Sequence, residues 1–248
     1  MTVHDCGIKF NLMSPVEVAC KVETWLEQGK TGLQITGVNL EQIALLKKDE
    51  SFADYVNASD IVNVDGTIVY LFLKLKGHPI KQRTLCADIL YEFLKSADQE
   101  GDSVFFFGAA QDSVEAVVVN IQTQYPNINI VGYHNGYFED EHEVVQEIKS
   151  ARPKYLFIGM PSPYKERFIT KYKNELNTSV CFGVGGMFDI IAGKAERAPL
   201  WVQKCGLEWL YRITQNPLGH TKRVFRALPA CFWVFGKYLF TSKKQLVI

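Results

Sequence analysis

Asp65 holds the position best suited to chemistry. It follows a short apolar run, Asp60 to Val64, and stands directly before Gly66 and a helical pattern. A carboxylate at the carboxyl edge of a sheet can act as a general base. An Asp at such a turn also serves as a helix N-cap, so position alone leaves both roles open. Arg83 follows Lys81 and Gln82 in a loop after Pro79. Its guanidinium suits a phosphate clamp, because the planar fork pairs bidentately with phosphate oxygens, and it equally suits a solvated surface. In His134-Asn135-Gly136-Tyr137-Phe138, Tyr137 offers a stacking face for a nucleobase and Gly136 allows close approach. A packed aromatic in a turn accounts for the same residues. Gly185-Gly186-Met187-Phe188-Asp189 joins an apolar run to a helix. Backbone amides at such a start attract phosphate or a sugar hydroxyl, and Asp189 would then bind a base or ribose. A capped helix start is the plainer alternative.

Other patterns fail on spacing. Gly183-Val184-Gly185-Gly186 lacks the third glycine of a dinucleotide fingerprint, since Phe188 stands there. Gly186 and Gly193-Lys194 are too far apart for a P-loop. The five histidines show no zinc spacing, and no Asp-x-Asp occurs, so no metal site is expected. Glu139-Asp140-Glu141 fits the acidic start of a solvated helix. The six cysteines have long, irregular gaps and no Cys-x-x-Cys, which predicts reduced, mostly buried thiols.

The elements that must hold these residues follow from periodicity. Ser14-Pro15-Val16-Glu17 is a capping box with Pro at the first helical position, and Val18, Val22, Trp25 and Leu26 continue a helical stripe. Strands are predicted over 32–36, 60–64, 104–108, 128–132, 155–159 and 179–186. Helices are predicted over 41–48, 67–76, 84–99, 113–125, 141–149 and 164–173. Apolar strands alternating with amphipathic helices mean an α/β protein: a largely parallel sheet covered on both faces. Three strands end in glycine, at Gly108, Gly132 and Gly159. Ligands bind beyond the carboxyl ends of such strands.

Past Gly193 the strand runs stop. Helix is expected over 197–213, then one or two helices over 220–238 broken near Pro229. The division is therefore a core over 1–193 and a helical appendage over 194–248. Net charge over the 248 residues is zero, which argues against a body that grips nucleic acid. The appendage, however, has ten Lys and Arg against two acids, while the core has 17 against 25. A basic tail on an acidic body suggests an anionic partner: phosphate, nucleic acid or a membrane surface. Phe232, Trp233 and Phe235 lie in a nearly all-apolar run flanked by Lys and Arg. That fits an interfacial membrane helix, or a helix docked on the body or on another subunit. No apolar run is long enough to span a bilayer, and the N-terminus shows no secretory signal.

Taken in order, the motifs are specific. They run Asp65-Gly66, Arg83…Asp88, Phe106-Phe107-Gly108, Tyr125-Pro126, Gly136-Tyr137-Phe138, Gly159…Pro163…Glu166 and Gly183-Val184-Gly185-Gly186…Phe188-Asp189. Then come Gly193…Arg197-Ala198-Pro199 and Gly206-Leu207-Glu208-Trp209…Arg212. Over nearly its whole length the chain resembles the WecG/TagA/CpsF glycosyltransferases. The resemblance implies a Rossmann-like core with a helical C-terminal appendage that completes the active site at the membrane. It implies an inverting, metal-independent bacterial enzyme with no cofactor. Such enzymes move a sugar from a UDP-sugar to a polyprenyl-diphosphate-linked sugar in cell-surface polysaccharide synthesis. The expected location is peripheral, at the inner face of the cytoplasmic membrane. Nucleic acid is not an expected partner, and a homo-oligomer stays open.

Carried over by resemblance, Asp65 is the general base and Arg83 its catalytic companion. Thr36, Asn39, Gly108, Lys165, Glu166, Gly185 and Gly186 fall in substrate-binding motifs. Tyr137 and Asp189 would hold the uridine, and Arg83, Arg212, Lys222 and Arg223 the diphosphates. The chain departs from the family at several points. Its Thr36-Gly37-Val38-Asn39 is one residue longer than Thr-x-Asn, and Cys86 replaces a Gly. Pro161 and Lys165 replace a Gly and a Gln, and Gly219 stands where Arg is common. Lys165 would place a cation near the sugar, which suggests an acidic donor or acceptor. The altered 159–166 loop motivates a second reading, a weak relative that binds UDP-sugar or scaffolds an assembly complex. A nucleotide-binding oxidoreductase is disfavoured by the missing fingerprint.

Overall fold

The structure is a computed structural model that describes residues 1–49 and 51–239. The chain opens with β1 (Thr2–Asp5) and β2 (Ile8–Asn11), an antiparallel hairpin. Its two-residue turn, Cys6-Gly7, has positive φ at both positions, as a hairpin twist requires. Helix α1 (Pro15–Glu27) starts at the capping box: Glu17 N donates to Ser14 Oγ, and Glu17 accepts from Ser14 N at 2.6 Å. Then come β3 (Leu33–Val38), α2 (Leu40–Lys48), α3 (Phe52–Asn57), β4 (Ile61–Val64) and α4 (Thr67–Leu75). The central stretch is α5 (Cys86–Glu100), β5 (Ser103–Gly108), α6 (Gln111–Gln124), β6 (Asn129–His134) and α7 (Glu141–Ala151). Next are β7 (Tyr155–Gly159), α8 (Tyr164–Tyr172), β8 (Val180–Gly183) and the short α9 (Met187–Ile191). Three more helices follow: α10 (Leu200–Lys204), α11 (Glu208–Gln215) and α12 (Pro217–Leu239).

Six strands form one parallel sheet in the order β4-β3-β8-β7-β5-β6. From β3 the chain steps outward to β4, and from β5 outward to β6. Strands β7 and β8 fill the middle, so the order reverses there, and the crevice above the sheet opens at that reversal. Central strands are apolar on both faces because helices cover both. Val104, Phe106, Phe157 and Phe182 pack under α1, α5 and α6, while Phe105, Phe107, Leu156 and Ile158 pack under α7 and α8. The hairpin shields the β4 edge, where Val62 N donates to Asn11 Oδ1 at 2.8 Å.

The C-terminal segment differs from expectation in two places. Residues 197–213 form two short helices, because the chain turns at Cys205-Gly206 with Gly206 at φ +73°. Conversely, α12 runs through Pro229 unbroken. Pro costs a helix one hydrogen bond. Here Ala227, Ala230, Cys231 and Val234, on both sides of it, are buried in one cluster with Val38, Ile43 and Ala44. Phe235 stacks on Phe72 of α4 with ring centroids 4.1 Å apart. Packing thus holds both halves in line. The opposite face leaves Phe225, Phe232 and Trp233 exposed. Body docking and an open aromatic face therefore coexist on one helix. Lys243 and Lys244, counted in the basic tail, lie outside the described residues. All six cysteines are free thiols; four are buried, and Cys20 and Cys205 are exposed.

Candidate active site

The loops after the strands bring most of the singled-out residues to one edge of the sheet. Asp65 leaves β4 with both carboxylate oxygens fixed. Oδ1 accepts from Cys86 N at 2.8 Å, and Oδ2 accepts from Asn39 Nδ2 at 3.3 Å. Asn39 is the N-cap of α2: its Oδ1 accepts from Glu41 N at 2.9 Å, and its own N–H donates to Gln42 Oε1 at 3.1 Å. Its amide is therefore oriented, with Nδ2 pointing at Asp65. Each carboxylate oxygen keeps a lone pair for a further proton, which is what a base needs.

Close backbone approach makes this turn possible. A Cβ on Gly66 would lie 2.8 Å from Asn39 Cα. A Cβ on Gly37 would lie 2.2 Å from Cys86 Sγ and 3.1 Å from Asp65 Cβ. Cys86, one departure from the family pattern, and Gly37, which lies in the lengthened Thr36–Asn39 segment, thus meet in space: the thiol fills the room that a side chain at 37 would take. Burial, reinforced by the Asp65 carboxylate, pushes the Cys86 thiol well above its ordinary range, so it stays neutral beside the base. Overpacking of this kind costs about 1–3 kcal/mol. Gly37→Ala is therefore expected to lose that much stability and to lower activity by shifting Cys86 and hence Asp65. Adding Cys86→Gly should restore most of both. Additive losses in urea melts of the double variant would contradict this pairing.

Lys165 and Glu166 are buried at the start of α8, 4% and 1% exposed. Lys165 Nζ donates to Glu166 Oε1 at 2.6 Å and also bonds Ser162 Oγ. Gln42 Nε2 donates to Ser162 Oγ at 2.9 Å, so this cluster is tied through Gln42 to the Asn39 cap. The expectation of a free cation facing an acidic sugar loses its premise, because the charge is cancelled within the protein. Glu166 Oε2 is left without a partner. Gln42 and Ser162 were not singled out from the sequence; the Asn39-x-x-Gln42 spacing was the available signal, a capping box.

Arg83 also turns inward. Nη1 donates to Thr67 Oγ1 at 3.0 Å and lies 3.2 Å from Glu208 Oε2, while Nη2 donates to the Gln203 carbonyl at 2.6 Å. Thr67 Oγ1 donates to the Gly206 carbonyl at 2.8 Å. The turn next to Asp65 is thus bolted to α10 and α11. Arg197 adds a second bolt, pairing with Asp88 and lying over the Tyr91 ring. Thr36, by contrast, is 2% exposed within β3 and its hydroxyl has no partner. It does not reach the crevice, because it lies two residues before the strand ends.

The remaining residues form two further groups. Gly185 and Gly186 follow β8, and a Cβ on Gly186 would lie 3.7 Å from Arg212 Nη1. Asp189 is exposed one turn on, in α9. Gly108 ends β5 at φ +126°, and the loops after β5, β6 and β7 are stitched together: Ala109 N donates to the Gly159 carbonyl at 3.1 Å, and Gly136 N to the Ala109 carbonyl at 2.8 Å. Beside this stitch lies a cavity of about 590 Å³ lined by Tyr137, Met160, Tyr164 and Phe168. Tyr137 is 82% exposed, so its ring is free to stack. Lys222 and Arg223 lie elsewhere, between α12 and α2.

A parallel α/β sheet with helices on both faces, a fixed carboxylate at its carboxyl edge and a helical C-terminal cover defines the class: a Rossmann-like protein whose candidate site lies above the strand ends. The family model described as "Glycosyl transferase WecG/TagA/CpsF family" matches residues 3–245, and the chain belongs to that family. It is 34% identical over 217 residues to the N-acetylglucosaminyldiphosphoundecaprenol N-acetyl-beta-D-mannosaminyltransferase of Bacillus subtilis (strain 168), covering 87% of this chain and 84% of the relative. A protein of the same name from Staphylococcus aureus (strain NCTC 8325 / PS 47) is 32% identical over 222 residues, covering 88% and 87%. The one from Bacillus spizizenii W23 is 33% identical over 194 residues, covering 78% and 75%.

Proposed function

We propose that this glycosyltransferase moves an N-acetylhexosamine, N-acetylmannosamine in the first instance, from its UDP ester to the sugar of a polyprenyl-diphosphate-linked N-acetylglucosamine. The observation that carries the reading is Asp65, held by two donors at the carboxyl edge of the sheet. In this account Asp65 takes the proton of the acceptor hydroxyl as that oxygen attacks the anomeric carbon. UDP leaves from the opposite face, so the configuration inverts. Charge developing on UDP is met by the Gly185-Gly186 amides and by Arg212. Tyr137 and Asp189 take the uridine. Arg83 serves as a positioning residue, holding the appendage over the turn that carries Asp65. Lys165 and Glu166 hold the loop after β7 rather than the sugar.

Among the described residues no helix is long and apolar enough to cross a membrane. We place the enzyme peripherally at the inner membrane face, where its lipid-linked substrate lies. The exposed Phe225, Phe232 and Trp233 and the surplus of Lys and Arg on the appendage support that seat. The test is product mass. With UDP-N-acetylmannosamine and a short-chain polyprenyl diphosphate N-acetylglucosamine, the acceptor should gain one N-acetylhexosamine. Bound UDP with no product from any donor would favour the scaffolding relative instead.

A further inference from the structure

We infer that ordered water is built into this fold at a buried polar seam between α8, strand β3 and the end of α3. The inference stands apart from the transferase reading. Five side-chain atoms carry it. Gln34 Oε1 and Nε2, Thr36 Oγ1, Ser59 Oγ and Thr170 Oγ1 are all buried, and none has a hydrogen-bond partner among the described residues. Gln34, Thr36 and Ser59 are 0%, 2% and 1% exposed. Buried polar groups left unpaired are rare, because each keeps the full cost of losing its water. Scattered through the fold, these five would be separate defects; here they gather in one place.

On β3, Leu33 and Ile35 join the cluster under α1 and α5, so Gln34 and Thr36, one step out of phase, point to the opposite face. That face is the one α8 covers. Gln34 stands in register with Cys181 of β8, and Cys181 packs with Phe168, Ile169 and Tyr172 of α8. The helix lies lengthwise. At its head, a Cβ on Gly183 would lie 2.9 Å from Lys165 Cδ; at its foot, a Cβ on Gly32, just before β3, would lie 3.7 Å from the Lys173 carbonyl. Thr170 and Lys173, three residues apart, share one side of α8, and Lys173 Nζ donates to the Ala58 carbonyl at 3.4 Å. Ser59 follows Ala58 and precedes Asp60, whose Oδ2 accepts from Gln34 N at 2.8 Å. Water fits this set better than a cation. The Gln34 amide offers hydrogens that a cation would meet head-on, while the three hydroxyls can donate or accept. At roughly three hydrogen bonds per buried water, about two molecules satisfy all five atoms. The loop leading into α8 is tied through Ser162 and Gln42 to the Asn39 cap. The water therefore lies under the helix that steadies the Asp65 turn.

The first measurement needs no variant. A high-resolution crystal structure of the wild-type chain should show ordered water bridging Gln34, Thr36, Ser59 and Thr170. Side chains paired directly with one another, or with backbone carbonyls, and no water between them would overturn the inference. The second reads the sign of a stability change. A hydroxyl bonded to water loses that bond when a methyl replaces it, whereas a hydroxyl with no partner at all is relieved of its desolvation. Thr36→Val should therefore unfold at a lower urea midpoint than the wild type; an equal or higher midpoint would count against the water. The third separates water from an ion. Wild-type midpoints at one ionic strength in sodium, potassium and choline chloride should agree. A midpoint raised by sodium or potassium alone would give the seam to that cation and overturn the assignment.

Discussion

Asp65→Asn is expected to lower kcat for transfer by about 10²–10⁴-fold, the contribution of a positioned proton acceptor. UDP binding should stay near the wild-type value. The substitution keeps shape but not chemistry. Asn39 cannot turn its amide to suit the new side chain, because its Oδ1 is committed to Glu41 N at 2.9 Å. An amide at 65 must therefore face either Asn39 Nδ2 or Cys86 N–H with a donor. One hydrogen bond is lost, about 1 kcal/mol, which the fold should survive. A collapse of kcat with an intact melting curve thus reports the missing base. A kcat within threefold of wild type would remove Asp65 from the chemistry.

Lys165→Met should be the most damaging single change to stability. The Lys165 and Glu166 side chains are 5% and 1% exposed and meet at 2.6 Å. Breaking such a buried pair on one side costs about 3–5 kcal/mol, because the surviving charge is left uncompensated. Glu166 already has one oxygen without a partner, so nothing is in reserve. Removing both charges, as Lys165→Met/Glu166→Leu, should recover most of the loss, since an apolar pair of similar volume is often as stable. Urea unfolding checks both. Activity should fall in the single variant beyond the unfolded fraction, because Ser162 and Gln42 transmit the loop's position to the Asn39 cap. A single variant that unfolds like the wild type would show that the pair is not closed off from water.

The parallel α/β character was readable because each central strand is an uninterrupted apolar run between helical stripes. The place of Asp65 at the end of its strand was readable because that strand is short and Gly66 follows it. Strand order was not, since periodicity marks strands without saying which ones pair. The N-terminal hairpin was missed: Val3, Ile8 and Phe10 alternate correctly, but each strand has only four residues. The inward contacts of Arg83 and Lys165 were out of reach for a different reason. Arg83 meets Gln203 and Glu208 across at least 120 residues of chain, and burial of Lys165 depends on where α8 packs. Likewise the lengthened Thr36–Asn39 segment and Cys86 read as two separate departures until the fold brought Gly37 against the Cys86 thiol. Charge, by contrast, read well at low resolution. The basic surplus after Lys194 was visible as a count, and the fold concentrates part of it around one hollow.

The most direct test of the central claim is UDP release measured with and without acceptor. The assay uses UDP-N-acetylmannosamine and a short-chain polyprenyl diphosphate N-acetylglucosamine. The account predicts release that requires both substrates and that disappears in Asp65→Asn. Equal release without acceptor, or release undiminished in Asp65→Asn, would contradict it.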